Sequence, residues 1–145
     1  MVRKVINEKK RIERAVAYVL KRLNSKYVFF VEPAVQSDVK RGLLVTIERS
    51  GRGTQDKSTF IITFNAEQST KLSRNEIRQA IFHEWLHSAS WEIYDEIETV
   101  INHLKPSPLR DELHKRYLDV RENVVYHMER SMGPHVFPFI EYKDQ

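Results

Sequence analysis

From Ser58 to Ala89 the apolar residues change their period from two to nearly four, and that change constrains the fold more than any other feature of the chain. In STFIITF (58–64), Phe60, Ile62 and Phe64 alternate with Thr59, Ile61 and Thr63, the pattern of a strand with one face on a core. Ser73 and Glu76 then stand in capping-box spacing. The serine can accept from the N–H three residues on, while the glutamate reaches back. Behind them Ile77, Ala80, Ile81 and Trp85 recur as an apolar helical stripe. The segment predicts a strand, a polar connection and a capped helix that carries His83, Glu84 and His87.

The flanking sequence supplies the remaining elements. Ile12, Val16, Val19, Leu20 and Leu23 mark an amphipathic helix from about Glu8 to Leu23, with Asn7 as its cap. YVFFV (27–31) and LLVTIE (43–48) read as two further strands, and SGRGTQDK (50–57) as a hairpin loop. A helix is expected over Trp91 to Leu104, stopped by Lys105-Pro106-Ser107-Pro108, with Ile93, Ile97, Val100, Ile101 and Leu104 as its buried stripe. Another is expected from Leu109 to Met132, stopped by Gly133-Pro134. The expectation is a single α+β domain over residues 1–145: an N-terminal helix, a three-stranded mainly antiparallel sheet, the helix bearing the histidines and two more helices. The aromatic tail, residues 133–145, is expected to pack as a final strap, or more sharply to lie near a cleft and restrain activity.

Composition narrows the chemistry. The chain has no cysteine, so a metal would have to be held by histidine and carboxylate. No apolar run is long enough for a bilayer, and the basic start lacks the apolar region of a signal peptide, so the expected location is the cytoplasm. Residues 1–26 carry nine basic and two acidic side chains, so this segment is +7 within a chain of net +4. Such asymmetry fits a solvated helix face, or contact with nucleic acid.

His83 and His87 are four residues apart, so on a helix both imidazoles can face one ion. Glu84 is offset by one position, where a carboxylate sits beside the ion and can act as general base toward water activated by zinc. A catalytic zinc site usually takes three protein ligands, so a third is required. Glu122 shares a stripe with Leu118, Val125 and Tyr126, and a carboxylate among apolar neighbours needs a partner. His103, Glu96 and Glu112 are the alternatives, although His103 falls on the polar side of its helix. Tyr94, Tyr126, His127 and His135 are candidates for stabilising an oxyanion.

FIITFNAEQSTKLSRNEIRQAIFHEWLHSAS, followed by YLDVRENVVYHMERSM, resembles a small HExxH zinc metallopeptidase of the gluzincin type, similar to minimal and phage metallopeptidases. The resemblance spans roughly residues 58–131 and implies a zincin-like fold, Zn2+ on His83, His87 and Glu122, Glu84 as general base, and a protein or peptide substrate. It also implies that strand 58–64 is an edge along which an extended substrate aligns. The SprT-like proteases, which act on DNA-bound proteins, are the nearer alternative and would take His103 as third ligand. A zinc-containing module that binds protein or nucleic acid without cleavage is the competing class.

Overall fold

The structure is a computed structural model that describes residues 2–34, 45–49 and 58–138, the short middle span as backbone alone. The elements run α1 (Val2–Arg22), β1 (Val28–Pro33), β2 (Val45–Arg49), β3 (Thr59–Phe64), α2 (Ala66–Ser69), α3 (Arg74–Ala89), α4 (Trp91–Asn102) and α5 (Pro108–Val136). They divide into two compact units, Met1–Glu84 and Trp85–Gln145, with α3 continuous across the division. Among the described residues no helix is long and apolar enough to cross a membrane.

In the first unit, α1 buries Ile12, Val16 and Val19 of the expected stripe together with Ala15, whereas Leu20 and Leu23 are only half-buried. The helix starts earlier than expected, and Asn7 lies inside it rather than capping it. The preceding residues, Val2 to Ile6, include no glycine or proline that would stop a helix. At the other end Asn24 adopts φ 50°, and the Asn24 and Ser25 N–H groups donate to the carbonyls of Lys21 (3.1 Å) and Leu20 (2.9 Å). This is a Schellman stop, with asparagine tolerating the left-handed position usually given to glycine.

The sheet differs from expectation. Its order is β1-β3-β2, and β1 runs parallel to β3, from Val28 opposite Thr59 to Pro33 opposite Phe64. Only β2 is antiparallel to β3, from Val45 opposite Phe64 to Arg49 opposite Phe60. A three-stranded mainly antiparallel sheet is therefore incorrect: one of the two pairings is parallel, and helices predominate among the described residues. Alternating runs specify strands and their faces but not which strands become neighbours. β3 is the central strand, with its backbone groups paired on both sides, so it is not the edge that the resemblance implies. Phe60, Ile62 and Phe64 are fully buried as the alternation predicts, but Ile61 on the opposite face is buried as well, so the strand is covered on both sides at that position. The loop SGRGTQDK lies outside the described residues.

Asn65 ends the strand side of the unit by accepting from the N–H groups of Glu67 (3.0 Å) and Gln68 (3.2 Å), which caps the short α2. The capping box of α3 forms as expected. The Glu76 N–H donates to Ser73 Oγ at 3.2 Å, and the Ser73 N–H donates to Glu76 Oε2 at 2.7 Å.

In the second unit Tyr94, Ile101 and Tyr117 form a buried cluster joining α4 and α5. The buried stripe expected on α4 is otherwise wrong: Ile93 and Val100 are 66% and 64% exposed, and Ile97 and Leu104 are exposed as well. Periodicity identifies the helix but not which sector another helix covers. Ser107 caps α5 by accepting from the Arg110 N–H at 3.2 Å, with Pro108 in the first turn where its missing N–H is harmless. The expected stop at Gly133-Pro134 is not observed, because α5 continues to Val136. Pro134 falls in the last turn, so the bond it removes is close to where the ladder ends anyway. Phe137 beyond it is fully buried, as a packed strap requires, while residues 139–145 lie outside the description.

Candidate metal centre

Helix α3 positions both histidines. The capping box fixes its start, and burial of Ile77, Ile81, Phe82 and Leu86 fixes its rotation about its own axis. At about 100° per residue, His83 and His87 differ by only about 40° around the helix. His83 is half-buried and His87 is 7% exposed. Glu84, half-buried on the same turn as His83, is about 60° around the helix from His87.

The third member comes from α5. Glu122 Oε2 lies 3.2 Å from His87 Nε2. One ligand atom from each of His83, His87 and Glu122 falls within 4.8 Å of the others. Ligands about 2.0–2.1 Å from a tetrahedral zinc stand about 3.3 Å apart, so the His87–Glu122 separation already matches a shared ion. The remaining separations are no more than 4.8 Å. Two imidazoles and one carboxylate form a donor set suited to zinc, and three protein ligands leave a position for water. The residues fit the group that the sequence implies.

The reason given for Glu122 from sequence does not hold, however. Its side chain is 61% exposed, and the carboxylate buried on α5 is Glu129, seven residues on. Glu122 reaches the histidines from a solvated position. His103 is not brought into the group: it caps α4, is exposed, and places Nδ1 2.7 Å from the Thr99 carbonyl oxygen. Glu96 is exposed, and Glu112 pairs with Arg116 at 2.9 Å. Neither belongs to the group.

Among the groups considered for oxyanion stabilisation, Tyr126 stands one helical turn after Glu122, and its buried hydroxyl has no hydrogen-bond partner among the described residues. Tyr94 packs instead against Tyr117, at 6.1 Å between ring centroids, while His127 and His135 are exposed. Sequence reasoning counted Arg11 and Arg14 only within the basic N-terminal segment and did not group them with Arg74 and Arg78, with which they line one cavity. Their signal was the placement of two pairs at i,i+3 and i,i+4 on α1 and α3. No family model matches the chain, and no curated protein or solved structure shows significant similarity to it.

Proposed function

We propose that this chain is a zinc-dependent metallopeptidase that hydrolyses peptide bonds in a protein or peptide substrate. The observation that carries the reading is the convergence of His83, His87 and Glu122 on a common volume, with Glu84 adjacent in sequence to His83. The resemblance of the HEWLH helix and the later glutamate helix to minimal gluzincins points the same way. When bound, zinc supplies a water ligand whose pKa is lowered to about 7 and a Lewis acid for the scissile carbonyl.

The chain's own groups do the rest. His83 and His87 hold the ion through neutral ring nitrogens, and Glu122 completes the set and adds negative charge. Glu84 accepts a proton from water and returns it to the leaving amine nitrogen. Tyr126 has a hydroxyl proton to offer a developing negative charge. With His103 outside the group, the ligand set favours the gluzincin reading over the SprT-like one.

The test has two measurements. Purified protein should contain about one equivalent of zinc, and Glu84→Gln should retain it while abolishing cleavage of an unstructured protein such as casein. Zinc retained together with undiminished cleavage in Glu84→Gln would remove Glu84 from its role. Zinc without cleavage in the wild-type chain would favour a non-catalytic binding module.

A further inference from the structure

A cavity of about 240 Å³ in the first unit is lined by Arg11, Arg14 and Ala15 of α1 and by Arg74, Ile77 and Arg78 of α3. Four guanidinium groups share this wall, and no carboxylate does. Gathering like charges costs free energy unless an anion offsets it. The four are not equivalent. Arg11 is spent on the fold: it donates to the carbonyl oxygens of Ser69 (3.0 Å) and Leu72, and it lies 3.5 Å from Glu8. Among the described residues, no carboxylate or other acceptor meets the guanidinium of Arg14, Arg74 or Arg78.

Arg78 is the most telling of these. Its guanidinium carbon sits 3.5 Å from the centroid of the Tyr18 ring, and its Nε is buried with no hydrogen-bond partner among the described residues. Stacking on an aromatic face fixes the plane of the guanidinium while leaving its in-plane N–H donors uncommitted. A buried donor without an acceptor is costly, and it is the kind of group that a ligand satisfies.

We propose that this cavity is a binding site for a compact, multiply charged phosphate: a diphosphate, or the diphosphate of a nucleotide. Three uncommitted forks match the geometry of phosphate oxygens, which guanidinium recognises bidentately. The volume is below the several hundred Å³ typical of pockets for drug-sized ligands, and it suits one or two phosphate groups. A nucleic-acid duplex would instead require cations spread along its backbone. The site is independent of the metal centre and of any peptidase activity.

Titration calorimetry of the full chain at physiological ionic strength tests the assignment, with inorganic phosphate, pyrophosphate, a nucleoside diphosphate and a short DNA duplex as probes. Saturable one-to-one binding of pyrophosphate, tighter than of inorganic phosphate, is expected. Still tighter binding of the nucleoside diphosphate would identify a nucleotide as the source. The exposed pair Arg14→Glu with Arg74→Glu should weaken binding by about a hundredfold or more, whereas Arg78→Lys, which keeps charge and loses the fork, should weaken it by about tenfold. Lys10→Glu with Lys21→Glu makes the same change in net charge away from the cavity and should leave affinity within about twofold. Absence of saturable binding would overturn the proposal, as would equal losses in the two double variants. Salt-steep affinity for the duplex alone would also overturn it, because it would mark a diffuse cationic surface. Circular dichroism of each variant separates loss of binding from loss of fold.

Discussion

His87 Nε2 and Glu122 Oε2 stand 3.2 Å apart, although 35 positions separate the two residues in sequence and the glutamate is 61% exposed. A solvated carboxylate held against a buried imidazole is a weak source of stability. Its value lies in the donor set that it completes with His83.

Glu122→Ala should therefore lower zinc affinity by more than the roughly 10–100-fold typical of changes to groups that only support a ligand. It should cost less than about 1 kcal/mol of metal-free stability. His103→Ala should leave zinc affinity unchanged. Competition with a chromogenic chelator measures both variants, and a large loss in His103→Ala would reassign the third ligand.

Glu8 is buried in the first unit, where Ser69 Oγ lies 2.5 Å from its Oε2 and Arg11 3.5 Å from it. Ser69→Ala leaves that carboxylate one hydrogen bond short, and a bond to a charged group contributes about 1.5–3 kcal/mol. Urea denaturation should show destabilisation in that range. Zinc content should be unaffected.

Burial pushes the Tyr117 hydroxyl above its ordinary value. Glu98 and Asp95 push in the same direction, and Arg121 opposes them. The hydroxyl donates to the Tyr94 carbonyl oxygen at 2.8 Å. As pH rises past about 10, the unfolded chain releases this proton before the folded one does. Stability present below that pH is then progressively lost. Tyr117→Phe should cost about 1 kcal/mol near neutrality and flatten this part of the alkaline decline in denaturation curves compared with wild type. A decline of unchanged steepness would assign it to other groups.

Phe137 is fully buried just after α5. Phe137→Ala should cost about 3–5 kcal/mol. Truncation after Met132, which also removes the last turn of the helix, should destabilise the chain at least as much. If the truncated chain instead keeps its melting temperature and gains peptidase activity, the tail acts as a restraint rather than a strap.

Local signals proved legible wherever a few consecutive residues decide the outcome. The capping box at Ser73, the alternation in β3, the apolar stripe of α1 and the presence of both histidines on one helix all followed from spacing. The missed α2 belonged to the same class, since Asn65 is an ordinary cap signal before a short segment. Inferences from apolar pattern to burial failed on α4 and at Glu122, because an apolar stripe says that a face can be covered and not that a neighbour covers it.

What the sequence determined by itself was every helix and strand of the described residues except the short α2, with ends displaced by as much as six residues at the start of α1, and the imidazole pair of α3. Backbone periodicity and caps act within a turn or a strand, so they can be read locally. Only the tertiary structure decided that β3 lies between a parallel and an antiparallel neighbour, that Glu122 rather than His103 meets the histidines, and that four arginines share a cavity. Those choices depend on which surfaces meet after the chain has folded back on itself, and many sequence separations satisfy the same local rules.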